Sequence, residues 1–355
     1  MFNAVAVINL KTHEIISKYW QMVMTAIFLS GKESSMNNPK KRILVAIDHS
    51  SQALESASYI SKMVDPDQFS VVIFHVESDL YDIFYDYVDK PPLEITGSPY
   101  YADWVDVMKK SIDLNLQNAK KVFLDNGFPE DAIEITMQPR QTGIARDIIA
   151  ESHKGYDILV VGKSGINKIS EAIKGNVTSK LMMSAFHIPL VIVSGIPETS
   201  KVLVGYDGST GANMASKASA RLIRKKVSEI LFCHVIRSFN LSDAQFSLSY
   251  KESYNHHLAD IEEAMIKSRR EHMEPLLDEA RLYFTREGFT PETVRWCMVN
   301  RGSSRSKAII DMAADQNCGT LVVGRRGHSA VVEFFMGRVG NKAVEMSRNM
   351  AVWII

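Results

Sequence analysis

Two segments of the sequence carry glycines at the same unusual spacing. The first is Gly162-Lys-Ser-Gly165 followed after nine residues by Gly175-Asn176-Val177-Thr178, and the second is Gly324-Arg-Arg-Gly327 followed after nine residues by Gly337-Arg338-Val339-Gly340. Closely spaced glycines let the backbone turn sharply and expose N–H groups. The N-terminus of a helix after such a turn favours an anion. Asn176 and Thr178 would add side-chain donors, so the spacing predicts a polyphosphate-binding loop in each segment.

An aspartate ends the first apolar run that precedes each loop: Asp48 before one and Asp207 before the other. Ligands of open parallel sheets bind beyond the carboxyl ends of the strands, where the strand order reverses. A carboxylate there can accept hydrogen bonds from ribose hydroxyls or a base amine. Either aspartate could instead cap the next helix with Ser50 or Thr210. Taken alone the aspartates favour capping, and together with a glycine loop on a neighbouring strand they favour a ligand.

Two better-known phosphate motifs are excluded. Lys163-Ser164 resembles the end of a Walker A loop, but that motif requires a glycine at position 157, which is Asp157. Neither loop has the G-x-G-x-x-G spacing of a dinucleotide site.

The elements that must position these residues occur twice. Four segments reappear in the same order 159 to 162 residues later: Arg42–Asp48 as Lys201–Asp207, Phe74–Val76 as Cys233–Val235, Asp157–Gly162 as Gly319–Gly324, and Pro189–Val193 as Met350–Ile354. A repeat of this length indicates two copies of one structural unit. We predict an N-terminal extension over residues 1–38, a first domain over 39–197 and a second over 198–355.

Each copy alternates short apolar runs with amphipathic stretches. The predicted strands of the first copy are Ile43–Ile47, Ser70–Val76, Ala132–Met137, Ile158–Val161 and Leu190–Val193. Consecutive apolar positions are typical of parallel strands covered on both faces. The predicted helices are Ser50–Met63, Gly143–His153 and Asn176–Ala185, then Ser209–Arg224, Tyr254–Glu287, Ser303–Asn317 and Gly337–Arg348. The alternation predicts an α/β fold with a doubly wound sheet in each domain.

Composition excludes several functional classes. The 355 residues contain 41 Lys plus Arg and 41 Asp plus Glu, so a strongly basic nucleic-acid surface is not expected. Three cysteines (Cys233, Cys297 and Cys318) form no C-x-x-C pair, which indicates reduced thiols of a cytoplasmic protein without a zinc site. The apolar run Trp20–Leu29 is too short for a spanning helix and lacks a convincing cleavage site, so we expect no membrane anchor.

The segment Ser78–Lys110 is the longest departure from this regularity. It contains seven aromatic residues and three prolines. The aromatic residues could form a partner surface or a lid, or they could pack onto their own domain. We favour packing, because connections also bury their apolar groups.

No set of residues for phosphoryl transfer is evident, and no catalytic or metal-binding residue is predicted. His75 and His234 follow the second apolar run of each copy, where a structural or pocket-lining role is favoured over a catalytic base. Arg325 and Arg326 lie inside the second glycine loop; they would favour an anion if they face the crevice and belong to the ordinary surface if they face outward.

Together, the paired glycine loops, the strand-ending aspartates and the His-Val pairs resemble the universal stress protein family over residues 40–355. The resemblance implies five-stranded sheets of order 3-2-1-4-5, ATP binding with or without Mg²⁺, and pairing of domains through their last strands, here Leu190–Val193 with Val352–Ile355. Association of two chains into a homodimer stays open. By resemblance, adenosine would contact Ala46, Asp48 and Val76 in the first copy and Gly205, Asp207 and Val235 in the second. Phosphates would contact Gly162, Gly165, Gly175, Asn176 and Thr178 in the first copy and Gly324, Gly327 and Gly337 in the second.

The second copy departs from the family pattern. Arg338 and Gly340 stand where hydroxyl residues are usual, and Arg338 could either bind a phosphate or block the pocket. We therefore expect ATP in the first copy rather than the second. The expected function is an ATP-binding regulatory protein of the stress response without efficient turnover. The alternatives are a nucleotide-free interaction module and a slow ATPase or adenylyl-transfer enzyme.

Overall fold

The computed structural model describes residues 40–48, 50–77, 99–163, 177–236, 251–300, 304–327 and 338–355. Residues 41–355 form one compact unit. The predicted extension and the apolar run Trp20–Leu29 lie outside the described residues. No helix among the described residues is long and apolar enough to cross a membrane.

Strands and helices alternate along the chain, as the sequence predicts. The first half contains β1 (Lys41–Ala46), α1 (Ser51–Met63), β2 (Phe69–Glu77), α2 (Pro99–Asp125), β3 (Ile133–Pro139), α3 (Ile144–Ser152), β4 (Ile158–Gly162), α4 (Val177–Ser184) and β5 (Leu190–Ser194). The second half contains β6 (Lys201–Gly205), α5 (Thr210–Leu222), β7 (Glu229–Ile236), α6 (Lys251–Arg286), β8 (Val294–Asn300), α7 (Arg305–Asp315), β9 (Thr320–Val323), α8 (Arg338–Met346) and β10 (Met350–Ile354).

All ten of these strands belong to one continuous sheet, in the order β3-β2-β1-β4-β5-β10-β9-β6-β7-β8. Within each half the neighbouring strands are parallel and run in the order third, second, first, fourth, fifth. The halves meet where β5 and β10 pair antiparallel, with Ile192 opposite Val352. The predicted α/β fold is confirmed, and the predicted pairing of the two last strands is present.

The sheet is covered on both faces, which explains why its strands are apolar at consecutive positions. One buried cluster contains Tyr59, Val45 and Trp353, and a second contains Leu44 and Leu321. Each cluster takes residues from both halves, so the core does not stop at the boundary between them.

The segment around Pro99 was predicted wrongly. Sequence analysis treated Ser78–Lys110 as a connection interrupted by proline, but a helix of 27 residues begins at Pro99 and continues to Asp125. Proline is tolerated in the first turn of a helix, because the N–H that it lacks has no intrahelical acceptor there. Residues 78–98 of the same segment lie outside the described part.

Candidate functional site

The first and fourth strands of each half are neighbours, which brings the aspartate and the glycine loop to one edge of the sheet. Ala46 of β1 lies opposite Val161 of β4, and Gly205 of β6 lies opposite Val323 of β9. Each aspartate follows its strand by two residues, and each loop leaves the neighbouring strand at the same end. This edge is a topological switch point, where ligands of such sheets bind.

Both aspartates form a turn with the serine two residues later. Oδ1 of Asp48 accepts hydrogen bonds from the backbone N–H of Ser50 at 2.9 Å and from its hydroxyl. Oδ1 of Asp207 accepts from the N–H of Ser209 at 3.0 Å. The N-cap residues of the next helices are Ser50 and Ser209, so each aspartate holds the capping serine and does not cap the helix itself.

In the second half the glycine loop lies directly against the carboxylate. A Cβ atom added to Gly327 would be 2.7 Å from Oδ2 of Asp207. A side chain at position 327 would therefore displace the carboxylate. The loop faces the acidic strand end, as the ligand interpretation requires.

The first glycine of each loop has a second reason to be glycine: a helix packs closely on it. A Cβ at Gly324 would be 2.6 Å from the carbonyl carbon of Gly211 in α5. A Cβ at Gly211 would in turn be 1.9 Å from the carbonyl oxygen of Arg326. In the first half, a Cβ at Gly162 would be 3.0 Å from Cγ of Gln52 in α1. Helix packing alone would thus select glycine at the exit of each fourth strand.

The residue after that glycine is a cation in both halves, and it reaches into the other half. Nζ of Lys163 donates to the carbonyl oxygens of Val344, Glu345 and Ser347, at 2.7, 3.0 and 3.3 Å. These carbonyls lie at the C-terminal end of α8. A cation is stabilising there because the last carbonyls of a helix lack intrahelical donors and carry partial negative charge.

Arg325 makes the reciprocal contact at the end of α4. Its guanidinium donates to the carbonyl oxygens of Met182, Ala185 and Ile188, at 3.2, 2.8 and 3.4 Å, and lies over the ring of Phe186. Arg325 is buried, and desolvation, assisted by the charge of Arg326, lowers its pKa to about 10.

These contacts correct the prediction for Arg325 and reinforce the exclusion of a Walker A loop at Lys163. Arg325 faces neither the crevice nor solvent, because it stabilises the other half. Lys163 has the same role, which excludes the Walker A interpretation a second time. The repeat-matched cations at 163 and 325 were the sequence signal that could have indicated this connection.

The two repeated histidines hold the strand ends that carry the aspartates. Nδ1 of His75 donates to the carbonyl oxygen of Ile47 at 2.7 Å, and Nδ1 of His234 donates to that of Tyr206 at 2.9 Å. Burial lowers the pKa of His234, although the bond to Tyr206 opposes the shift. Nε2 of both rings is buried and has no hydrogen-bond partner in the described part of the chain. The histidines position the residues directly before Asp48 and Asp207, which is the structural role that the sequence favoured.

The other predicted site residues are placed as follows. Ala46 and Gly205 are partly exposed at their strand ends, whereas the side chains of Val76 and Val235 are buried in the core. Thr178 is also buried, with 3% of its surface exposed. Gly165, Gly175, Asn176 and Gly337 lie outside the described residues, as does the side chain of Arg338. Among the described residues, no group of three or more His, Cys, Asp or Glu side chains could hold a metal ion.

Comparisons with known proteins agree with this architecture. Residues 198–352 match the profile of the Universal stress protein family. A universal stress protein from Archaeoglobus fulgidus DSM 4304 is 17% identical, covers 88% of this chain and 97% of its own, and superposes with a TM-score of 0.52. Universal stress protein UspA from Lactobacillus plantarum is 13% identical and covers 44% of this chain and 97% of its own, with a TM-score of 0.33.

A universal stress protein solved in complex with cAMP is 17% identical and covers 44% of this chain and 96% of its own. Its TM-score is 0.28. The comparison with curated proteins gave no match. The first half has the same strand order as the second. Residues 198–352 of this chain are therefore similar to the Universal stress protein family, and the first half repeats their strand order.

Proposed function

We propose that this chain binds ATP at the carboxyl ends of its strands and acts as a cytoplasmic, nucleotide-responsive regulatory protein of the stress response, without efficient turnover. The observation that carries the proposal is the pairing of the first strand with the fourth in each half, with Ala46 opposite Val161 and Gly205 opposite Val323. It brings a glycine loop and an acidic strand end into one crevice at the point where nucleotides bind to doubly wound sheets.

The ribose and the phosphates of ATP would each have suitable partners at this edge of the sheet. The carboxylates of Asp48 and Asp207 would accept hydrogen bonds from ribose hydroxyls. The loop amides and the N-termini of α4 and α8 would stabilise the phosphates. Mg²⁺ is commonly bound by one or two carboxylates together with phosphate oxygens, so it would arrive with the nucleotide. The proposed contacts are Ala46, Asp48, Val76, Gly162, Gly165, Gly175, Asn176 and Thr178, with Gly205, Asp207, Val235, Gly324, Gly327, Gly337 and Arg338.

We further propose that the first half binds ATP more tightly than the second. The second loop is confined by contacts of Gly327 with Asp207 and of Gly211 with the backbone of Arg326. A ligand there would have to displace these contacts. The matching position of Gly211 in the first half is Gln52, whose side chain is turned towards Gly195.

Calorimetric titration with ATP tests both statements. Asn in place of Asp keeps one side-chain oxygen for the serine turn and replaces the other by an amide donor. A hydrogen bond to a charged group contributes about 1.5–3 kcal/mol, so Asp48→Asn should weaken ATP binding by roughly tenfold to a hundredfold. Asp207→Asn should have less effect. Asp65→Asn is the control, because Asp65 forms a similar turn, accepting from the N–H of Asp67 at 3.2 Å, but precedes β2 at the opposite edge of the sheet.

The glycine loop is tested separately. Gly175→Leu should abolish ATP binding while the circular dichroism spectrum stays unchanged. Unchanged affinity in this variant would remove the assignment of the phosphate site. Phosphate release during prolonged incubation with ATP would measure turnover, and rates typical of an enzyme would contradict the proposal of binding without efficient turnover.

A second candidate function is a nucleotide-free interaction module. It is favoured by an exposed apolar stripe on α2, where Tyr100, Val107 and Leu114 recur every seven residues and are 79, 63 and 60% exposed. A seven-residue spacing puts these side chains on one face of a helix. If ATP produces no saturable heat while replacement of all three by serine abolishes binding to a partner protein, the module would replace the nucleotide proposal.

A further inference from the structure

Two of the three cysteines face each other on neighbouring strands of the second half. Cys233 of β7 and Cys297 of β8 are direct partners in the parallel register. Neighbouring strands lie about 4.7–4.9 Å apart, and disulfides join residues whose Cα atoms are about 4.4–6.8 Å apart. The backbone therefore holds these two thiols at a separation that a disulfide can span.

The two thiols differ in their access to solvent. Cys233 is completely buried, whereas Cys297 is partly exposed. Cys297 lines a cavity of about 280 Å³ between β8 and α7, together with Arg295, Met312 and Gln316. A small oxidant can reach Cys297 through this cavity, whereas Cys233 has no exposed surface.

The surroundings also favour the thiolate of Cys297. A hydrogen bond from the Cys233 thiol is the main cause that lowers the pKa of Cys297, and the charge of Arg295 acts in the same direction, whereas burial and the charge of Glu229 oppose the shift. Arg295 is held in place by Glu229, which accepts from its Nε at 3.0 Å. By contrast, burial raises the pKa of Cys318 to about 11. The thiolate is the reactive form of cysteine.

We propose that Cys297 and Cys233 are a redox-active pair: a hydroperoxide oxidises Cys297, and Cys233 then closes an intramolecular disulfide. In the first step the Cys297 thiolate attacks one peroxide oxygen, the O–O bond breaks, and sulfenic acid and hydroxide (or alkoxide) form. In the second step the Cys233 sulfur attacks the sulfenic sulfur, an S–S bond forms, and hydroxide leaves and takes up the Cys233 proton as water. The hydroperoxide is reduced by two electrons, and the two thiols are oxidised to one disulfide.

The pair exists only in the second half. The residues that match it in the first half are Phe74 and Thr136, which are register partners on β2 and β3. Oxidation would therefore change β8 at one edge of the sheet and leave the matching edge β3 unaffected. This site is separate from the crevice at Asp207 and does not depend on nucleotide binding.

The test uses the intact protein, hydrogen peroxide and mass spectrometry. Tryptic cleavage puts the three cysteines in separate peptides, because Lys226, Arg237, Arg295, Arg301, Lys307 and Arg325 flank them. After brief peroxide treatment and alkylation of the remaining thiols, we expect a disulfide-linked pair of peptides that contain Cys233 and Cys297. Cys318 should remain a free thiol.

Single variants separate the two steps. In Cys233→Ala, dimedone should trap a sulfenic acid at Cys297, and in Cys297→Ala the rate of oxidation at Cys233 should fall to that of Cys318. Because the pKa of Cys297 is lower than that of Cys318, a larger fraction of Cys297 is thiolate. A thiolate of lower pKa is also less nucleophilic, which offsets part of this gain. We therefore expect Cys297 to react at least about tenfold faster than Cys318.

Cys318→Ala is the matched control and should leave the disulfide yield unchanged. If a buried variant fails to fold, the wild-type and Cys318→Ala proteins still decide the question through their relative rates and their linked peptides. Equal oxidation of all three cysteines, or the absence of a linked pair after Cys297 has reacted, would overturn the proposal.

Discussion

The two halves of this protein have the same strand order but secure their glycine loops differently. In the second half the loop is interlocked with α5, since Gly324 and the backbone of Arg326 both press against Gly211. In the first half Gln52 takes the place of Gly211, and its amide makes two hydrogen bonds to the backbone of Gly195, at 2.9 and 3.2 Å. The same helix position thus fixes the glycine loop in one half and the end of β5 in the other.

The difference shows how duplication allows two copies of a site to diverge. The cations Lys163 and Arg325 are matched and join each loop to the opposite half, so neither copy is independent of the other. Tyr59 adds an unmatched link, because its hydroxyl accepts from Nε1 of Trp353 at 2.8 Å and lies 2.7 Å from the hydroxyl of Thr320. The contacts of Lys163 and Arg325, which occur in both copies, hold the halves together. Contacts that occur in only one copy, such as that of Tyr59, make the two halves different.

The largest effect should come from the matched cations. Arg325→Ala would leave three carbonyls of the first half without their donor, and we expect a loss of about 3 kcal/mol in the free energy of unfolding. Lys163→Ala should cost about 1 kcal/mol, because the carbonyls that it contacts are closer to solvent. Urea denaturation measures both.

Arg325→Lys is the control, since lysine is the matching residue of the first half. It should recover more than half of the loss. Equal losses for Arg325→Ala and Lys163→Ala would show that burial of Arg325 does not distinguish the two contacts.

The next largest effect on stability should come from Gly211, which occupies the second position of α5, where α1 has Gln52. In Gly211→Ala the new Cβ would lie 1.9 Å from the carbonyl oxygen of Arg326, so the loop must move. We expect about 1–3 kcal/mol of destabilisation, measured by thermal denaturation. ATP affinity of the first half should be unchanged. Wild-type stability in the Gly211→Ala variant would contradict the view that the second loop is interlocked with α5.

Removal of the unmatched link should have a smaller effect. Tyr59→Phe deletes the hydroxyl that accepts from Trp353, so an indole N–H is left buried without that acceptor. The expected loss is about 1–2 kcal/mol, measured by urea denaturation. The control is Tyr283→Phe, because Tyr283 is only partly buried and its hydroxyl bonds to an exposed glutamate.

The smallest effect should be on the pH dependence of the free energy of unfolding. Because the pKa of His234 is lowered in the folded protein, the unfolded chain binds more protons as the pH falls through the ordinary histidine range near 6.5. The stability contributed by the neutral ring is therefore complete above that range and is lost below it. The pKa of His187 is also lowered, mainly by burial, and contributes in the same direction.

His234→Gln keeps a donor for the carbonyl of Tyr206 and removes the titrating ring. The decrease in unfolding free energy between pH 7.5 and pH 5.5 should be smaller in this variant than in the wild type. An unchanged decrease would mean that His234 does not contribute to the pH dependence.

Sequence predicted the alternating elements and the strand edge of the site, because apolar runs and repeat spacing depend on local pattern. It missed α2, because Pro99 was interpreted as a helix breaker although it begins the helix. It also missed the role of Arg325, because a cation beside a phosphate-type loop gives no sign that its partners lie about 140 residues away in the chain. Contacts between repeats are decided by the packing of the two halves, which no local pattern contains.

The most direct test of the central claim is a calorimetric titration of the intact protein with ATP, repeated on the Asp48→Asn/Asp207→Asn double variant. The account predicts saturable heat in the wild type and an ATP affinity at least about tenfold lower in the folded double variant. Absence of saturable heat in the wild type, or the same affinity in the double variant, would contradict it.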